Sequence, residues 1–168
     1  MRPLKLLFPI LCAAAVLLGG CSAGGMSESA LLERVREELT IYDAETVELR
    51  NAGAVKTDGK ALFWFVTGNE NQAHTYLAVE CEVVGEEQYR FVKSYESMDR
   101  GEEIGVVNWN GGYCFYNNNP DCRALWYSEP TADGEGKETT VPFVDETIIY
   151  LPFIPSEYEF LDTSNDPL

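Results

Sequence analysis

From Lys60 to Phe153 apolar and polar residues alternate with a period of two, and the breaks between the alternating segments are too short to hold a helix. The segments are KALFWFVT (60–67), HTYLAVECEVV (74–84), QYRFVKSYE (88–96), EIGVVNW (103–109), GYCFYN (112–117), CRALWYS (122–128), TTVPFV (139–144) and TIIYLPF (147–153). They are rich in β-branched and aromatic residues, as strands are. Parallel neighbours would need a crossover of about a dozen residues or more. Joints such as GNENQ, VGEE and NG leave no room for one, so the sheet is expected to be largely antiparallel. In the first segment Leu62, Trp64 and Val66 alternate with Phe63 and Phe65, so both faces are apolar and the strand is expected at the centre of its sheet. In the second, Leu77, Val79, Cys81 and Val83 share one face while Glu80 and Glu82 take the other.

Ahead of the strands, SESALLERVREEL places Leu31, Val35 and Leu39 on one stripe with Leu32 beside them, and Ser27 or Ser29 can cap the start. The expected fold class is α+β, an N-terminal amphipathic helix followed by a mostly antiparallel meander sheet of about seven or eight strands in one domain. That domain is read as residues 28–160, with 161–168, LDTSNDPL, as a frayed tail.

NWNGGYCFYNNNPDC, residues 108–122, is the most unusual stretch in composition. Asn110-Gly111 suits a two-residue type I′ turn, which needs positive φ at both central positions. Counting outward, Trp109 faces Gly112, Asn108 faces Tyr113, Val107 faces Cys114, Val106 faces Phe115 and Gly105 faces Tyr116. Large residues thus meet glycine twice, which leaves space for a ring. The run NNNPDC makes a second turn. Beyond turning, Trp109, Tyr113, Tyr116, Trp126 and Tyr127 with Asn117, Asn118 and Asn119 are the residue types of a carbohydrate- or peptide-binding surface, since rings stack on apolar faces and amides donate and accept. Alternation sends neighbouring rings to opposite faces, however, so they cannot all share one patch.

Residues 1–20 begin with Arg2 and Lys5, run apolar from Leu6 to Leu18 and end in two glycines before Cys21. This is the layout of a secretory leader, and Pro9 and the short run argue against a membrane span. LLGGC, Leu17 to Cys21, resembles the lipobox of bacterial lipoproteins. The resemblance implies cleavage before Cys21 and a lipidated Cys21 thiol at the new N-terminus, on the extracytoplasmic face of the cell membrane. Several acyl chains on one residue give stable anchoring where one would be marginal. Residues 21–27 are then a short flexible tether, and the domain sits low over the bilayer.

Without the leader, ten basic residues stand against 28 acidic ones, a net charge of −18. Such a body repels phosphate backbones and anionic lipid, so no nucleic-acid partner is expected, and a monomer is. Of the five cysteines, Cys12 leaves with the leader and Cys21 carries lipid, which leaves Cys81, Cys114 and Cys122. Cys114 to Cys122 is the expected pair if a disulfide forms, the alternative being three buried thiols. One histidine, His74, and no closely spaced cysteine pair argue against a metal site, and no cofactor motif is present. No nucleophile elbow or Ser-x-x-Lys motif accompanies His74, and carboxylate pairs are guaranteed by their number. The expected role is therefore a non-enzymatic, membrane-anchored bacterial surface lipoprotein that binds or modulates a nearby envelope component. A carbohydrate- or peptide-binding module using the ring and amide cluster is the first alternative, and a small hydrolase is the second.

Overall fold

The computed structural model describes residues 24–38, 48–69, 72–95, 103–131, 136–143 and 147–168. Helix α1 spans Glu28–Glu38. Ser27 caps it, accepting the Ala30 amide at 3.3 Å, and Glu28 lies in the first turn, where the helix dipole favours a negative charge. Ten strands follow: β1 Leu49–Thr57, β2 Lys60–Asn69, β3 Gln72–Gly85, β4 Gln88–Ser94, β5 Ile104–Trp109, β6 Gly112–Asn117, β7 Ala124–Glu129, β8 Lys137–Pro142, β9 Ile148–Leu151 and β10 Glu157–Leu161. Every strand pair is antiparallel.

The strands form three sheets rather than one. The first, β1-β2-β3-β4, is a meander; the second is β5-β6-β9 and the third is β10-β7-β8. Past β6 the chain leaves the meander order, because β9 joins the second sheet while its chain neighbours β8 and β10 belong to the third.

Three apolar cores separate four layers. Leu31 and Val35 of α1 pack on Phe63, Phe65, Val79 and Cys81 of the first sheet. The opposite face of that sheet, with Leu62, Trp64, Val66 and Ala78, meets Val107, Trp109, Cys114 and Tyr116 of the second. The second sheet in turn lays Ile104, Phe115, Ile149 and Leu151 against Leu125 and Tyr127 of the third. Residues Ala61 to Val66 of β2 are all fully buried, which is the central position its two apolar faces call for.

Two strands carry weak signals. β1, LRNAGAVKT, mixes small and polar residues, and a bulge between Asn51 and Gly53 breaks its alternation. β10, EYEFL, does alternate, with Tyr158 and Phe160 turned into the third core and flanked by glutamates. Residues 161–168 were expected to fray, yet Leu161 closes β10 and 162–168 fold back on it. Leu168 donates its amide to the Phe160 carbonyl at 2.9 Å, Leu161 bridges Pro167, and the Asp162 carboxylate accepts the Ser164 and Asp166 amides. The open edge of β10 offers main-chain groups that need partners, and the tail supplies them.

The tether also differs from expectation at its far end. Met26 exchanges two main-chain hydrogen bonds with Tyr89 of β4, at 2.7 and 2.9 Å, so it extends the first sheet beyond β4.

Candidate functional site

The β5–β6 hairpin has the register counted from Asn110-Gly111, from Trp109 opposite Gly112 to Gly105 opposite Tyr116. Asn110 and Gly111 sit at φ of 49° and 81°, as a type I′ turn demands. The space beside the two glycines is taken by other parts of the chain. Over Gly105 lies the Trp64 ring from the first sheet, which stacks on Tyr116 at 5.4 Å and donates its indole N–H to Cys114 Sγ at 3.4 Å. Against Gly112 runs the backbone of Leu151 to Phe153.

The ring and amide cluster read from the sequence is dispersed over three layers. Trp109 and Tyr116 are buried between the first and second sheets, Trp109 edge-on to Tyr150 at 5.1 Å. Tyr113 is half-buried in the third core, where Tyr127 is also buried. Trp126 is half-buried on the outward face of the third sheet, between Thr140 and Glu159. No single surface unites these rings.

The amides are occupied in shaping the chain. Asn117 is buried, accepts the Asn119 amide and donates to the Cys122 carbonyl, while Asn119 accepts the Asp121 amide. Asn118 joins a polar relay in which Arg50 donates to the Tyr116 hydroxyl, Tyr116 donates to Asn118 Oδ1 at 3.3 Å, and Asn118 Nδ2 donates to Glu103 Oε2 at 3.3 Å. Burial raises the Tyr116 hydroxyl above its ordinary pKa, with Arg50 opposing the shift. This relay ties the first and second sheets at one end of their shared core.

Cys81, Cys114 and Cys122 carry free, buried thiols. The expected Cys114–Cys122 bridge is not made, because Cys114 lies between the first and second sheets whereas Cys122 lies beyond the second, in the third core. Desolvation pushes the Cys81 and Cys114 thiols up to about 12 and Cys122 up to about 11, so all three are protonated and poor nucleophiles near neutrality.

Cys21, the leader and the His74 side chain lie outside the described residues. Among the described residues no group of three or more His, Cys, Asp or Glu could hold a metal ion, and no helix is long and apolar enough to cross a membrane.

A cleft of about 470 Å³ is lined by Ala52, Gly53, Ala54 and Val55 of β1 with Thr147, Ile148 and Tyr150 in and beside β9. Its two walls are edge strands of different sheets. Where they converge, the Ile148 side chain comes so close to Gly53 that a Cβ there would lie 2.9 Å from Ile148 Cδ1. The Asn117 amide donates to the Thr147 carbonyl, which fixes the pairing phase of β9. Thr147, Ile149 and Leu151 therefore turn their main-chain groups to β6, while Ile148 and Tyr150 turn theirs away from it. Comparison with protein-family models, with curated proteins and with solved structures finds no match to this chain.

The cleft can hold a ligand by shape, by main-chain hydrogen bonds and by the face of Tyr150. Among the described residues its only titratable lining group is the Tyr150 hydroxyl, which donates to the Asn110 carbonyl at 3.2 Å, and no nucleophile and base meet in it. The β1 wall has no regular alternation to mark it in the sequence, and the run of small residues, NAGA at 51–54, is the one available signal.

Proposed function

We propose that this chain is a lipid-anchored protein on the outer face of a bacterial cytoplasmic membrane, and that it acts by binding an extended segment of a neighbouring envelope protein in the β1–β9 cleft. The leader and the LLGGC motif support the placement. The observation that carries the binding role is the cleft itself, whose walls are the edge strands of two sheets and whose lining, among the described residues, holds no catalytic pair. An extended peptide satisfies an exposed sheet edge through its own main chain. The net charge of −18 on the body favours a basic segment. Carbohydrate binding loses its support, because the rings it would use are spread over separate layers.

The placement is tested by mass spectrometry of the membrane fraction, which should find acyl chains on an N-terminal Cys21. The binding role is tested by titrating an alternating Lys-Val octapeptide, with a Glu-Val octapeptide as control, while following amide chemical shifts. Shifts at residues 52–55 and 148–150 for the basic peptide alone support it. Shifts confined to other regions, or none at millimolar peptide, count against it.

A further inference from the structure

We infer that the end of the first sheet bearing the Asp58-Gly59 and Glu86-Glu87 turns faces the lipid surface, and that the Asn117–Asp121 turn points away from it. The inference rests on the proposed anchoring at Cys21, and it follows from where the chain first becomes fixed.

Met26 is held by two main-chain hydrogen bonds to Tyr89, at the start of β4. Gly25 is packed so closely that a Cβ there would lie 2.5 Å from Val84 Cγ2 and 2.8 Å from Gln88 Cβ. A glycine is what permits that approach. The four Cα steps from Cys21 to Gly25 span at most about 14 Å when fully extended. Gly25 abuts the β3–β4 turn, and the β1–β2 turn lies at the same end, since the Val83 amide donates to the Gly59 carbonyl.

The opposite end is beyond that reach. Arg50 pairs with Val66 across the β1–β2 ladder and donates to Tyr116, and Val66 stands six positions along β2 from Lys60, or about 20 Å at the rise of a strand. The Asn117–Asp121 turn continues from Tyr116 on that far side. A tether of this length therefore keeps the near end within about 14 Å of the lipid surface with Met26 paired, whereas the far turn meets that surface only when the sheet lies flat along it, so the near end is on average the closer of the two.

The lipid-facing end exposes Asp58, Glu86 and Glu87, so the contact is set by the tether and opposed by anionic headgroups. Met26 joins the β4 edge of the first sheet, whereas the cleft lies at the β1 edge. A neighbouring protein can accordingly reach the cleft along the flank without displacing the anchor.

The test uses the acylated full chain, labelled with a small thiol-reactive fluorophore at Glu86→Cys or Asp121→Cys, both exposed positions, while the three native thiols are buried. The protein is reconstituted in phosphatidylcholine vesicles that carry a nitroxide headgroup. Flotation with the vesicles and quenching at position 86 at least twice that at position 121 support the orientation. A variant with a twenty-residue Gly-Ser insert after Ser22 should lose the difference. Protein that floats but is quenched equally at the two positions, or more strongly at 121, overturns the orientation alone. Protein that fails to float overturns the anchoring itself and the orientation with it.

Discussion

Strands β2 and β7 both carry a tryptophan flanked by apolar residues, FWF at 63–65 and LWY at 125–127, yet the structure treats the two rings differently. β2 lies between the helix layer and the second sheet, so Phe63 and Phe65 enter one core while Trp64 enters another. β7 belongs to the outermost sheet, so Leu125 and Tyr127 are buried and Trp126 stays half-exposed beside Glu159 and Thr140. The local pattern is nearly the same. What differs is the number of layers on either side, which a short apolar run such as FWF or LWY does not by itself reveal.

Breaking that comparison at its strongest point means truncating each ring. Trp64→Ala removes a fully buried side chain that stacks on Tyr116 and bonds Cys114, and a loss of about 3–5 kcal/mol is expected. Trp126→Ala should cost less, about 1–2 kcal/mol, since the ring is only partly buried and enters no core. Urea unfolding measures both, with the midpoint moving and the slope unchanged. Equal losses would mean that the outer face of the third sheet is covered by something.

A smaller effect sharpens the same contrast by filling space. Gly105→Ala places a methyl 2.7–2.8 Å from ring atoms of Trp64, and an overpacking loss of about 1–3 kcal/mol is expected. Thr140→Ala, beside Trp126 on the open face, should stay within about 0.5 kcal/mol. Near-ultraviolet circular dichroism should report the Gly105 change as a perturbed tryptophan signal and leave the Thr140 variant unaltered. A silent Gly105→Ala would show that the second sheet does not bear on β2.

The helix, the central place of β2 and the register of the β5–β6 hairpin were legible because each follows from local rules: Ser27 as a cap, apolar residues on both faces, and Asn-Gly at a two-residue turn. The division into three sheets was not, because pairing β9 with β6 and β10 with β7 is a long-range choice that no window of sequence contains. The same choice explains why the Cys114–Cys122 bridge was expected. A tight turn places two residues near each other along the chain, but only the layering shows that they face different cores. The cleft was hidden for a related reason: one wall is a bulged strand without clear alternation, and the other comes from a strand about a hundred residues later.

The smallest effect concerns the thiols, and it is silent at neutral pH. Cys114 touches Trp64 beneath β2 and Cys122 lies beneath β7, and with no bridge between them a reductant should leave the melting temperature at pH 7 unchanged. Native protein at pH 8 should react with a thiol reagent at least about a hundredfold more slowly than protein in urea, because the thiolate is the reactive form and burial suppresses it. The two positions should separate as the pH rises, with Cys122, pushed up to about 11, reacting before Cys114, pushed up to about 12. The sign for stability follows from proton counting. The folded thiols hold their protons above the unfolded value, so their contribution is fully present below about pH 8.5 and is lost as the pH climbs through about 11 to 12. Rapid labelling of Cys114 before Cys122 in native protein would mean that the layer over β2 opens more readily than the layer over β7, the reverse of what their burial implies.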